Sequence, residues 1–230
     1  MTDIPYNLAS VRTRIAAACK AAGRPGTAVE LLAVSKTFGP AEIRQAQAAG
    51  QRAFGENYLQ EALDKQAQLA DLALEWHFIG PVQSNKTRPL AERFDWVHGV
   101  ERLKIAQRLS EQRPAALPPL DVCVQVNVSG EASKSGCAPA ETLELCRAVA
   151  RLPRLRLRGL MAIPAPAAAA ADRRAPFRAL RGLFDELRRS GLEVDTISAG
   201  MSDDLEDAIA EGSTLVRVGS ALFGSRPPKA

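Results

Sequence analysis

Eight short apolar runs alternating with segments of helical period predict an α/β protein, a closed (β/α)₈ barrel preceded by one extra helix. Two further observations carry that expectation. The eight repeats fit into about 200 residues, near the lower size limit for such a barrel. No glycine-rich dinucleotide fingerprint follows the first strand, which counts against the runner-up, an open doubly wound sheet.

The elements are read in order. NLASVRTRIAAACKAAG has helical period and precedes the first strand. Strands follow at 31–36, 52–57, 75–80, 95–100, 121–128, 155–163, 193–200 and 214–224. PAEIRQAQAAG opens with Pro40 and closes with Gly50, a helix start and stop. ENYLQEALDKQAQLADL, VERLKIAQRLSEQR, APAETLELCRAVARL, FRALRGLFDELRRSG and SDDLEDAIAEG follow the same logic. After the third strand, Ser84, Asn85 and Lys86 are read as loop. PAPAAAAADRR, 164–174, is compositionally biased and reads as a mobile loop before a helix. No linker divides the chain, so residues 1–230 are expected to form one domain.

Composition narrows the function classes. Lys and Arg number 30 against 26 Asp and Glu, with no basic run interleaved with aromatics, so nothing supports nucleic-acid binding. No apolar run reaches the roughly 18 residues of a membrane helix, and MTDIPYNLAS lacks the pattern of a signal peptide. Cys19, Cys123, Cys137 and Cys146 show no C-x-x-C spacing, and only His77 and His98 accompany them. A zinc site is therefore not expected, and reduced thiols in a cytoplasmic protein are.

In a (β/α)₈ barrel the chemistry gathers at the C-terminal ends of the strands. That rule selects Lys36 after strand one, Asn57 after strand two, His77 within strand three and Asn127 after strand five. It selects Met161 near the end of strand six and Ser198, Gly200, Met201 and Ser202 around the end of strand seven. Strand eight contributes Arg217, Gly219 and Ser220. Lys36 ends the apolar run LLAVSK and admits two readings. An amine moved into an apolar site loses proton affinity and can attack a carbonyl to form a Schiff base; alternatively, a lysine at a strand end snorkels to solvent.

The segment ISAGMSDDLEDAIAEG offers small residues at 198–200, Ser202 as a helix N-cap, and Asp203 and Asp204 in the first turn. Free N–H groups there, with Gly219 and Ser220 of the neighbouring strand, read as a phosphate site. Arg217 lies between two valines and shares a strand face with Leu215 and Gly219. It is read either as paired to a carboxylate at the barrel wall or as a donor to a ring nitrogen. An amine, a phosphate cup and an arginine together suit pyridoxal 5′-phosphate, which has an aldehyde, a phosphate and a ring nitrogen.

The stretches AVSKT, FGENYLQE, WHFIGPVQSNK, VNVSGEASKSG, GLMAIPAP, ISAGMSDDLEDAI and VRVGSALFG, in this order over nearly the whole chain, resemble the pyridoxal phosphate homeostasis protein family, the YggS/PROSC-type PLP-binding proteins. That family is similar to the TIM-type barrel domain of alanine racemases, of PLP fold type III. The resemblance implies that Lys36 holds the coenzyme as a Schiff base. It implies that Ser198, Gly200, Met201, Ser202, Gly219 and Ser220 surround the phosphate and that Arg217 faces the pyridine nitrogen. Asn57 and Met161 line the ring pocket on the same basis. Family members often have Thr where this chain has Ser220, and the hydroxyl is kept. SKSG, 133–136, matches a family loop of unassigned role.

Racemase-type enzymes of this barrel resemble one another in a second, β-rich domain that completes the site. Here the eighth strand ends near Gly224 and the sequence ends at Ala230, so no C-terminal β domain is expected. The expectation is a monomeric holder of pyridoxal 5′-phosphate acting in vitamin B6 homeostasis, with apo-PLP enzymes as partners and no robust catalysis. The alternative is a PLP-dependent racemase or decarboxylase; a third class is a PLP-free Schiff-base aldolase.

Overall fold

The run from Leu31 to Val34 is apolar on both strand faces, so it requires cover on both sides, and the fold supplies it. In the computed structural model, which describes residues 2–131, 135–164 and 170–225, β1 (Glu30–Val34) lies between β2 (Ala53–Glu56) and β8 (Leu215–Val218). β3 (Glu75–Phe78), β4 (Trp96–Val100), β5 (Leu120–Gln125), β6 (Leu155–Met161) and β7 (Thr196–Ser198) complete the circuit. All neighbouring pairs are parallel, the order around the sheet is the order in sequence, and the barrel is closed. The (β/α)₈ expectation is met, and closure leaves no unpaired strand edge.

Residues alternate between two environments. Ala33, Phe54, Phe78, Val122, Leu160 and Val216 pack outward into the main core beneath the helices. Leu32, Val34, Ile79 and Leu215 fill one half of the barrel interior, and Trp96, Cys123 and Met161 form a second cluster. This period of two carries Lys36 inward beyond Val34, and Arg217 inward beyond Leu215.

The helices are α1 (Ile4–Ala21), α2 (Pro40–Ala48), α3 (Leu59–Gln68), α4 (Thr87–Arg93), α5 (Leu103–Gln112), α6 (Thr142–Ala150), α7 (Ala170–Arg189), α8 (Leu205–Ala210) and α9 (Ser220–Phe223). α1 buries Ile4, Leu8, Val11, Ile15 and Cys19, a helical stripe, against α2, α8 and α9. It takes the place in the helical ring that the four-residue α9 is too short to fill, and Asn7 Nδ2 ties it to the Leu222 carbonyl at 3.0 Å. Asp3 caps α1 by accepting the Tyr6 N–H at 3.0 Å. Asp3→Ala is therefore expected to cost about 1 kcal/mol, read as a lower urea midpoint; an unchanged midpoint would contradict the cap.

Three expectations are corrected. Ser84–Lys86, read as loop, form a single 3-10 turn, and α4 follows it where no helix was read; Pro89 falls in the first turn of α4, where no intrahelical N–H is needed. Residues 220–223 are helical rather than a continuation of strand eight. Of the segment 164–174, residues 170–174 already belong to α7 despite Pro176 inside it, in keeping with the helix preference of alanine, and residues 165–169 lie outside the described residues.

The four cysteines are buried free thiols, and burial pushes Cys123 well up and Cys146 up to about 12. No helix among the described residues is long and apolar enough to cross a membrane.

Candidate functional site

A cavity of about 290 Å³ opens at the C-terminal ends of the strands. Lys36, Asn57, Met201, Ser202, Arg217, Gly219 and Ser220 line it, as does apolar wall from Val34, Phe38, Ile79 and Ile163. Closure of β8 onto β1 brings these residues together, because Ala33 pairs with Val218. Lys36 is half-buried on the lip of β1. Phe38 beside it is fixed by stacking on Phe223 at 5.1 Å between ring centres.

The backbone around Lys36 is held from outside the barrel by a buried charged cluster. Glu56 Oε1 accepts from Ser35 Oγ at 2.6 Å and from Lys65 Nζ at 2.7 Å. Lys65 Nζ also reaches the Ser35 carbonyl at 2.8 Å and Glu61 Oε1 at 2.6 Å, and Glu61 in turn accepts the Thr37 N–H at 2.6 Å. The two residues flanking Lys36 are thus both bound, and Thr37 is kept at φ +70°, a conformation a β-branched residue adopts only under constraint. Burial raises the Glu56 carboxyl above its ordinary range, with Lys65 opposing that shift.

The far side of the cavity is a lip of hydroxyls. Ser202 Oγ and Ser220 Oγ lie 3.3 Å apart, and the Ala221 N–H donates to Ser202 Oγ at 3.4 Å. Arg14 of α1 anchors the Ser202 carbonyl at 3.0 Å. Ser202 does not cap the following helix. α8 starts at Leu205 with Asp204 at its N-cap position, and Asp204 Oδ1 closes the preceding turn by accepting the Met201 N–H at 2.5 Å. Asp203 lies on the cavity wall and Asp204 precedes the helix rather than standing in its first turn. The helical turn at Ser220–Phe223 is what places the Ala221 N–H against Ser202.

Arg217 forms the floor. Its Nη1 donates to the Ser198 carbonyl at 2.6 Å and to Ser198 Oγ at 2.7 Å, and its Nη2 donates to the Ala162 carbonyl at 2.8 Å. No carboxylate bonds to it among the described residues. Burial pulls the guanidinium down to about 10, and Asp204 opposes that shift. Three of its five N–H groups are occupied by these contacts, which leaves donors for a ligand.

Met161, Ser198 and Gly200 fall away from the cavity lining. Met161 packs on Trp96 and Cys123 inside the barrel, and Ser198 is fully buried beneath Arg217. Gly200, at φ +96°, lets α8 approach: a Cβ there would stand 2.6 Å from that of Ala208. Asn57 lines the cavity with its Oδ1 buried and unpartnered among the described residues. His77 sits deep in the barrel rather than at its mouth, and Asn127 lies beyond the end of β5. Of SKSG, Ser133 and Lys134 lie outside the described residues, while the Gly136 N–H donates to Glu101 Oε2 at 3.3 Å.

Sequence reading missed Val34, Phe38, Ile79, Ile163 and Asp203 as wall residues. Strand parity could have found Val34 and Ile79, which share faces with Lys36 and His77. The loop residues carry no local signal.

The sequence pattern of the family described as "Alanine racemase, N-terminal domain" matches residues 6–227. A curated relative from Pseudomonas aeruginosa, "Pyridoxal phosphate homeostasis protein", is 66% identical over 98% of this chain and 97% of its own length. The solved structure of PipY from Synechococcus elongatus, with PLP bound, is 38% identical with a TM-score of 0.84, covering 96% of this chain and 100% of that one. An alanine racemase of Clostridium difficile shares the fold at a TM-score of 0.79 and 15% identity, over 99% of this chain and 57% of that one.

Proposed function

This chain belongs to the pyridoxal phosphate homeostasis protein family and carries the alanine racemase N-terminal domain, and on that basis we propose that it binds pyridoxal 5′-phosphate on Lys36 and serves intracellular vitamin B6 homeostasis by storing and delivering the coenzyme. The observation that carries the site assignment is the convergence of Lys36, the Ser202–Ser220 hydroxyl pair and Arg217 on one cavity. Bound there, the coenzyme supplies an aldehyde that takes up primary amines, a phosphate and a pyridine ring.

The residues present fit that group. Lys36 Nζ holds the aldehyde. Ser202 and Ser220 would receive the phosphate oxygens, and Asn57 lines the same cavity. Arg217, with donors left over, would face the ring nitrogen. A guanidinium there disfavours a proton on that nitrogen, which makes the ring a weak electron sink.

The reading extends to a carrier without robust catalysis. Proton transfer on both faces of a substrate needs two positioned bases. Among the described cavity residues only Asp203, exposed on the rim, accompanies Lys36 in that capacity. The curated relatives are named for homeostasis, and the likeness to the racemase is one of fold. Buried free thiols suit the reducing cytoplasm, where apo-PLP enzymes would be the recipients.

The deciding experiment loads the purified protein and measures activation of an apo-PLP enzyme against free coenzyme at equal concentration. Delivery at or above the free rate is expected. Steady turnover of an amino acid, well above that of free coenzyme and lost in Lys36→Ala, would replace this reading with an enzymatic one. The doubly substituted Ser202→Ala/Ser220→Ala protein is expected to retain coenzyme about tenfold less tightly by spectrophotometric titration, since bonds to a charged phosphate are lost. Unchanged affinity would remove the hydroxyl lip from the phosphate site.

A further inference from the structure

The interior of a (β/α)₈ barrel is ordinarily filled by apolar layers, yet here five polar side chains run through it. Glu75, at the N-terminal mouth on β3, bonds through Oε1 to His77 Nε2 at 2.7 Å. His77 Nδ1 meets His98 Nε2 at 2.9 Å, and His98 Nδ1 meets Ser198 Oγ at 2.9 Å. Ser198 Oγ accepts from Arg217 Nη1 at 2.7 Å. His77, His98, Ser198 and Arg217 are buried, whereas the Glu75 side chain is 49% exposed.

These contacts fix the direction of the string. Ser198 Oγ accepts from Arg217, and His98 Nδ1 is the one acceptor among the described residues that its own hydroxyl proton can reach. A neutral imidazole has one donor and one acceptor, so the His98 proton is on Nε2 and points to His77 Nδ1. The His77 proton is then on Nε2 and points to Glu75, whose ionised carboxylate only accepts. Every site is used once. Reversing the order would require an added proton on the histidines and would leave the Ser198 hydroxyl without an acceptor among the described residues. Burial holds His98 neutral, well below its ordinary range.

We propose that Glu75, His77, His98 and Ser198 are positioning residues for Arg217, a hydrogen-bonded string of one polarity that links the buried guanidinium to the charge of a carboxylate at the opposite mouth of the barrel. The string supplies what the immediate surroundings of Arg217 lack, since its direct acceptors are two carbonyls and one hydroxyl. A chain of bonds polarised from one end strengthens each member. The surroundings contribute other charges. Asp95 and Arg158 act on the Glu75–His77 end, Asp121, Asp195 and the Cys123 thiol lie along the wall, and Asp204 faces Arg217. Trp96 stacks on His77 at 5.1 Å between ring centres and is itself covered by Arg158 at 4.5 Å.

The test uses the full, untagged chain. It contains 2 histidines, both in the string, so its imidazole ¹⁵N spectrum reports the string alone. Both are expected as neutral Nε2–H tautomers at neutral pH, with His98 resisting protonation on acidification. Ser198→Ala should disturb the His98 tautomer, and Ser198→Thr should restore it. Glu75→Gln, at a half-exposed position that tolerates the change, keeps an amide oxygen that accepts from His77 Nε2, so both tautomers should hold while the charge is lost. An Nδ1–H tautomer or a cationic ring at His98 at neutral pH overturns the proposal, as does an Nδ1–H tautomer at His77. The consequence for the site rests on the coenzyme reading. In loaded protein, Glu75→Gln should shift the pH titration of the coenzyme's visible absorption to lower pH, because the removed negative charge no longer offsets Arg217. No shift would sever the string from the cavity. A wild-type protein that takes up no coenzyme would defeat the proposed function, and the tautomer measurement would still decide the string.

Discussion

Lys36→Ala is expected to abolish covalent capture completely. After incubation with pyridoxal 5′-phosphate and borohydride, the wild-type chain should gain the mass of one reduced coenzyme, and the variant none. Lys36→Arg should fail equally, because a guanidinium stays protonated and offers no nucleophile. Lys36 is half-buried on the strand lip, so the truncation leaves the apolar core intact. Residual, reversible retention through Ser202, Ser220 and Arg217 should remain measurable. An unchanged adduct in the variant would move the amine elsewhere and defeat the site assignment. Lys86→Ala, outside the cavity, serves as the control.

Lys65→Met carries the largest expected effect on stability. Lys65 Nζ makes three bonds, to Glu56, Glu61 and the Ser35 carbonyl, at 2.6 to 2.8 Å. Its loss leaves Glu56, 0% exposed, with the Ser35 hydroxyl as its one remaining partner among the described residues. Breaking a buried pair costs about 3–5 kcal/mol, which lowers Tm by roughly 10 °C in a chain of this length. The pH dependence has a definite sign. The Glu56 pKa in the folded state is already raised by burial, and losing Lys65 raises it further. A carboxyl with a raised folded pKa contributes stability below its unfolded pKa and loses it as pH rises through the folded value. The deficit should therefore be smaller near pH 5 than near pH 8. Glu56→Gln added to Lys65→Met should recover part of the loss. A melting temperature unmoved at the higher pH would show that the cluster does not restrain β2 and α3. Because Ser35 and Thr37 flank Lys36, the same variant should also capture coenzyme less well.

The alternation of apolar runs and helical periods was legible because each strand of a closed parallel barrel is covered on both faces and each helix on one. Strand ends were legible within a residue or two at Lys36 and Met161. The boundary errors have local causes. TRPLAER is short and begins after a loop-like GPVQSNK, so its helix was hidden. SALF continues an apolar strand, and nothing local marks the helical turn that sets the Ala221 N–H against Ser202.

The sequence by itself determined the order of elements, the shared strand face of Arg217 and Gly219, and the family. These follow from period-two alternation and from motifs read along the chain. Only the tertiary structure decided which of the polar residues meet. It put Met161, Ser198 and Gly200 behind the cavity wall, tied Glu56 to Lys65 beneath Lys36, and joined Glu75, His77, His98 and Ser198 into one string. Those contacts depend on the stagger of strands on opposite sides of the barrel and on rotamers in its interior. Local periodicity fixes the side of the sheet a residue faces; the closed register fixes what it faces there.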